Sequence, residues 1–178
     1  DVLIELFETR RPITTQRFVT LATTGFDDQG IVDPDLPAFW TAVPVHRVIP
    51  GFVMQTGDAE NGTGTGGSPL GVYPGEFDPV ITYDGPFKVG AANTSPNSND
   101  AQFFITDETA TPPVHLNNAN PIFGEMIAGF DVFDKIINVP RDTSDRPFIT
   151  PIMDGVDILE RPLAISVADG FVGDAHVT

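Results

Sequence analysis

Glycine and proline interrupt this chain so often that long helices have almost nowhere to form. There are 17 of each in 178 residues, and a proline inside a helix removes a backbone donor and clashes with the turn before it. Short strands joined by turns are what such spacing favours. The strand candidates are Val2–Phe7, 45–49, 52–55, Val80–Tyr83, Phe87–Ala92, Gln102–Thr106, Ile122–Met126 and Pro151–Leu159. Two stretches carry helical periodicity instead. Over 12–24, Pro12 suits a first helical turn, Phe18, Leu21 and Ala22 recur at i, i+3, i+4, and Gly25 ends the run. The second helix places Val132, Phe133, Ile136 and Ile137 on one face. Residues 27–44 read as a surface loop whose Phe39-Trp40 pair packs back on the body.

Many strands in hairpin-like order with only two helices predict a mainly β fold, a closed antiparallel barrel capped by helices. The length suits one domain over 1–159, large enough to bury a core unaided. Residues 160–178 form a tail, either a linker or a barrel-completing strand.

Charge and composition exclude several functions. The chain has no cysteine, so disulfides and thiol nucleophiles are ruled out. A formal net charge of −16, with Lys88 and Lys135 the only lysines, repels nucleic acid and anionic membranes. It suggests a periplasmic or extracellular location, or the cytoplasm of a salt-adapted organism, where a short screening length makes a dense negative surface tolerable. His46, His115 and His176 lie too far apart in sequence to suggest a zinc site. The loop Gly62-Thr63-Gly64-Thr65-Gly66-Gly67 lacks the lysine and following helix of a phosphate cradle.

Two segments remain that composition does not explain: VHRVIPGFVMQTGD over 45–58 and AANTSPNSNDAQFFI over 91–105. With His115-Leu116-Asn117-Asn118 and Ile122-Phe123-Gly124-Glu125 they occur in one order. In this the chain resembles the cyclophilin-type peptidyl-prolyl cis/trans isomerases, as a divergent, acidic, bacterial member, from about residue 2 to about 159. The resemblance implies an eight-stranded antiparallel barrel with two capping helices and a site on its outer face. It implies a catalytic Arg47 and a substrate surface of Phe52, Val53, Gln55, Ala92, Asn93, Thr94, Gln102, Phe104, His115, Leu116 and Asn120. It implies no cofactor and no metal; the partners it implies are proline-containing peptides and unfolded proteins.

The chemistry asks for such residues on its own account. Rotating an X–Pro bond means breaking amide resonance, a barrier of about 18–20 kcal/mol. In the twisted transition state the prolyl nitrogen gains a lone pair. A guanidinium donates to that lone pair with permanent charge and no proton transfer. Phe52, Phe104 and Leu116 would hold the proline ring, the Asn93 backbone a substrate carbonyl, and Gln55 and Gln102 would orient Arg47 and the peptide. Alone, each of these is a core phenylalanine, a surface arginine or a solvated glutamine; only their joint spacing points to a site. Thr94, His115 and Asn120 read equally well as rim positions.

Departures from the family pattern set further expectations. Val53 stands where methionine is usual, which makes one pocket wall shallower. His115 stands where tryptophan is common, so weak or no cyclosporin binding is expected. Asn120 replaces a frequent histidine, and Asp100 replaces glycine and should add negative charge beside the groove. The strand that normally precedes Val2–Phe7 is missing: either the chain starts late or 163–167 folds back to fill the gap. The leading alternative to an isomerase is a proline-peptide binding module with little catalytic activity. A further one is a barrel domain of a larger secreted protein.

Overall fold

The computed structural model describes residues 1–108 and 111–160. Its β4 strand (Val53–Thr56) organises the sheet, pairing with β3 (Arg47–Ile49) on one side and β6 (Phe103–Thr106) on the other. From β6 the sheet continues through β5 (Lys88–Ala91) and β7 (Ile122–Ala128) to β1 (Leu3–Leu6), every pair antiparallel. Helix α1 (Pro12–Thr23) follows β1, and α2 (Phe130–Ile137) follows β7. A separate two-stranded ladder joins β2 (Val43–Pro44) to β8 (Ile152–Met153).

Because side chains alternate across a strand, each of the central strands is divided between two clusters. Met54, Phe103, Ile105, Val89 and Ala91 face a main core that also takes Phe18 and Leu21 of α1 and Phe133 and Ile137 of α2. Val53 and Phe104 face the opposite way, into a second cluster with Tyr83 and Ile122. All four residues of β6 are therefore buried. The main core is aromatic at its centre. Phe18 meets Trp40 at 4.7 Å, Phe123 at 5.2 Å and Phe103 at 5.4 Å between ring centroids, tilted and edge-on arrangements that suit aromatic quadrupoles.

Trp40 lies in the long connection after α1, and its indole Nε1 donates to Gly57 O at 3.1 Å. The loop thus packs back as its Phe39-Trp40 pair suggested. Pro12 occupies the start of α1, and no side chain of the helix caps it. Instead Glu76 reaches over from another segment and accepts from Ile13 N and Thr14 N at 3.2 and 2.7 Å. Its carboxylate satisfies donors every helix start leaves open and complements the positive end of the helix.

The sequence reading needs three corrections. The mainly β character and the two helices hold, but hydrogen bonding does not close the strands into a barrel: among the described residues six form one open sheet and two form another, and Val43–Pro44 of that second pair falls within the stretch read as a loop over 27–44. The ladder breaks at Val45-His46, where Val45 N bonds Pro151 O and Val48 N bonds Asp145 O as isolated contacts. Val80–Tyr83 is not a strand, because Asp78 turns the chain there, its carboxylate taking Val80 N and its carbonyl Ile81 N. Of Pro151–Leu159 only Ile152–Met153 is strand, matched to a β2 of two residues. The proposed fold-back of 163–167 lies outside the described residues.

Gly90 sits opposite Phe104 in the β5–β6 register, and a Cβ there would come within 3 Å of the Tyr83 hydroxyl and the Phe104 ring. Gly90→Ala should therefore destabilise the fold by about 1–3 kcal/mol through overpacking. Urea unfolding measures this; a midpoint equal to wild type would show that the second cluster is looser than described.

Candidate active site

The register places four of the predicted residues, Arg47, Val53, Gln55 and Phe104, on one face. Arg47 lies opposite Gln55, Gln55 opposite Phe104, and Phe104 opposite Gly90, so their side chains emerge on the same side of the sheet. Val53 and Phe104 are buried as a floor, and Phe52, Ala92 and Leu116 pack partly exposed around them. His115 projects from the short 3-10 turn Val114–Leu116 and stacks on Phe52 at 5.7 Å. The result is an apolar patch with a guanidinium on the same face of the sheet. The Arg47 side chain is 41% exposed, open enough to meet a ligand.

The polar side chains are mostly occupied within the wall. Gln55 Nε2 donates to Gln102 Oε1 at 3.0 Å, and Gln102 Nε2 donates to Gly66 O at 2.8 Å. Neither glutamine hydrogen-bonds Arg47. Asn93 Nδ2 donates to Asn99 Oδ1 and to Ala119 O, each at 2.8 Å. Asn120 Nδ2 in turn donates to Asn93 Oδ1 at 3.0 Å and Ala91 O at 2.9 Å. Asn120 is thus a brace for Asn93 rather than a rim contact. With its side chain fixed, the Asn93 backbone N–H and carbonyl have no partner among the described residues. Thr94 is exposed and turned to Ser98.

The expectation for Asp100 is overturned. Its carboxylate accepts from Ser68 N at 3.1 Å and from Ser68 Oγ, and Arg17 lies 3.6 Å away. It anchors the 60–75 loop, and its charge is compensated.

Two features went unseen in the sequence. Asp58 is fully buried, and its carboxylate accepts the N–H groups of Asn61, Thr63, Gly64, Thr65 and Gly66. Burial alone would raise its pKa, but these donors outweigh it and hold the carboxyl below its ordinary value. The glycine-rich loop is therefore wound around an anion of the protein's own, and Gly66 passes that order to Gln102. The other feature is Asp145, whose Oδ2 lies 3.9 Å from Arg47 Nε and whose Oδ1 lies 3.3 Å from Arg141 Nε. Nothing in the two motif segments hints at it, because it comes from a turn almost a hundred residues downstream of Arg47.

His46, beside Arg47, is buried, with neither ring nitrogen hydrogen-bonded among the described residues. Desolvation lowers its pKa against the opposing pull of Asp58.

The family model for cyclophilin-type peptidyl-prolyl cis-trans isomerases matches residues 1–157. Peptidyl-prolyl cis-trans isomerase ppi1 of Schizosaccharomyces pombe is 38% identical over 150 residues, covering 82% of this chain and 84% of its own. Peptidyl-prolyl cis-trans isomerase A of Mycobacterium tuberculosis is 36% identical over 162 residues, covering 89% and 86%. The match to Arabidopsis thaliana CYP71, 36% identical, spans 21% of that longer protein. Among solved structures, a Cryptosporidium parvum cyclophilin-type isomerase crystallised in the presence of the dipeptide Ala-Pro superposes with a TM-score of 0.77. It shares 30% identity, covering 90% of this chain and 94% of that one.

The two depressed pKa values fix an acid response. A group whose folded pKa is lowered supports the fold above its unfolded pKa and loses that support as pH falls through the folded value. Stability should fall first below about pH 6.5, as His46 is forced to charge, and again below about pH 3.8, as Asp58 is protonated. Thermal unfolding across pH 3–8 tests this, with His46→Phe expected to flatten the upper step. A wild-type midpoint constant between pH 7 and pH 5 would contradict the role given to His46.

Proposed function

This chain belongs to the cyclophilin-type peptidyl-prolyl cis-trans isomerase family, and from its site geometry we propose that Arg47 is the catalytic group of this isomerase. The observation that carries the reading is the shared face: one permanently charged donor, Arg47, stands on the same side of the sheet as the apolar cluster of Phe52, Ala92, Phe104 and Leu116. Proline-containing peptides are the substrates it fits, in keeping with the Ala-Pro dipeptide present with the solved relative.

The steps follow from what each group can do. The proline ring settles against Phe52, Phe104, Leu116 and Ala92 over the Val53 floor, losing contact with water. The carbonyl on one side of the bond is held by the backbone N–H of Asn93, so that part of the peptide is fixed while the other turns. As the C–N bond twists, resonance is lost and the prolyl nitrogen pyramidalises. The Arg47 guanidinium donates to the new lone pair, an interaction absent in the planar ground state. Binding that strengthens only in the transition state lowers the barrier. A peptide over the apolar patch also excludes water from Arg47, which makes the donor more effective than it is at an open surface.

Val53 is buried beneath the apolar patch, so it offers the proline ring little surface of its own. That gives shape to the alternative reading of a binding module with little catalysis, which the same assay separates. Arg47→Ala should lower kcat/KM for a proline-containing test peptide by about 10²–10³, as removal of one preorganised donor does, with circular dichroism unchanged. A mutant as fast as wild type would end the assignment to Arg47, and a wild type with no rate above the uncatalysed one would leave only binding. Cyclosporin should inhibit wild type poorly, because His115 offers a smaller surface than tryptophan where it stacks on Phe52. His115→Trp is expected to increase inhibition by an order of magnitude or more; equal inhibition of both would contradict this account.

A further inference from the structure

Arg47 sits on β3, the edge strand of the six-stranded sheet, where a long flexible side chain would sample many rotamers. Its cross-strand neighbour Gln55 is turned to Gln102 and does not hold it. What faces the guanidinium is Asp145, and the turn carrying that residue is built in unusual detail. Asp142 Oδ1 accepts from Ser144 N at 2.8 Å and Arg146 N at 3.0 Å. Asp145 N bonds Asp142 O at 3.1 Å, and Asp142 N bonds Arg146 O at 2.9 Å. Asp145 itself is held at φ 64, a left-handed conformation that costs most residues energy and that aspartate and asparagine tolerate best.

The turn is also tied to the strand it serves, since Val48 N donates to Asp145 O at 3.0 Å. The carboxylate is thereby fixed relative to the backbone next to Arg47. Its two oxygens are divided between Arg141 and Arg47. Arg141 also keeps Asp145 from claiming Arg47 outright: a carboxylate shared between two cations orients each more weakly than it would orient one.

We propose that Asp145 is a positioning residue for catalysis, restricting the Arg47 guanidinium to the orientation that faces the prolyl nitrogen. This rests on Arg47 being the catalytic donor. Asp145 touches no substrate, so its contribution lies in the fraction of time Arg47 is correctly aimed, which enters kcat and not peptide affinity. The pair is partly exposed, with side chains 41% and 32% accessible, and such pairs couple modestly.

The test is a double-mutant cycle read by isomerase kinetics on the full chain. Asp145→Asn keeps the left-handed turn and removes the charge. It should lower kcat about 2- to 5-fold, the range that exposed pairs allow, with KM and the unfolding midpoint unchanged. In an Arg47→Ala background the same substitution should leave the residual rate unaltered. Asp145→Gly, which suits the turn without any side chain, provides the same comparison if the asparagine variant folds poorly. Wild-type kcat in Asp145→Asn, or an equal loss in the Arg47→Ala background, would overturn the proposal. If Arg47→Ala itself retains full activity, it is the catalytic assignment that has failed.

Discussion

The site exists because β4 lies between β3 and β6 in one particular register. Arg47 opposite Gln55 and Gln55 opposite Phe104 bring together two segments, 45–58 and 91–105, that lie far apart along the chain. A slip of one residue in either ladder would exchange the two faces of the strand. Met54 would then turn outward, and Gln55 would enter a core filled by Phe18, Phe103 and Phe123. The aromatic core thus enforces the register, and the register aligns the site. Phe103 and Phe104 show the division at a single step along the chain, one locking the main core and the next lying in the second cluster beneath the site.

What the sheet aligns, buried polar groups then stiffen. A glycine-rich loop has high conformational entropy, and its amides need partners wherever water is excluded. Asp58 supplies one acceptor for five of them, turning a flexible tract into a wall whose Gly66 carbonyl receives Gln102. On the opposite side Asn99, Asn93 and Asn120 form a chain of amide contacts that anchors the 91–99 segment. In both places side chains that might have served as ligands are spent on geometry, and the group left available is backbone. Preorganisation of this kind, with the cost met on folding and not during reaction, is what electrostatic catalysis depends on.

Much of this was legible in the sequence, for different reasons in different places. Helix α1 followed from Pro12 and the spacing of Phe18, Leu21 and Ala22, since period and stop signal agreed. Arg47, Phe52, Phe104 and Leu116 could be proposed as one set because their segments are long and their order is specific, and the fold brings the three apolar ones into one cluster. Closure of the barrel was not legible: it turns on whether 45–46 continues a ladder, and isolated hydrogen bonds to 145 and 151 replaced it. The apolar alternation of Val80–Tyr83 looked like a strand, but Asp78 offers local backbone bonds that compete with pairing. Asp100 looked like an exposed charge because sequence shows its neighbours and not Ser68 and Arg17. Asp145 was invisible for the same reason, lying far from either motif.

The acidity of the chain bears on its catalysis through where the carboxylates point. A net charge of −16 distributed freely about the site would draw Arg47 into ion pairs and away from a neutral prolyl nitrogen. The acidic residues closest in sequence to the site are instead given partners of their own. Asp58 takes loop amides, Asp107 takes Gly51 N, and Asp100 takes Ser68 and Arg17. The carboxylate that does meet Arg47 is shared with Arg141 and fixed by a turn. In a chain so rich in acid, the guanidinium keeps its freedom to act because its neighbours' negative charge has already been engaged, leaving one anion, at a set distance, to aim it.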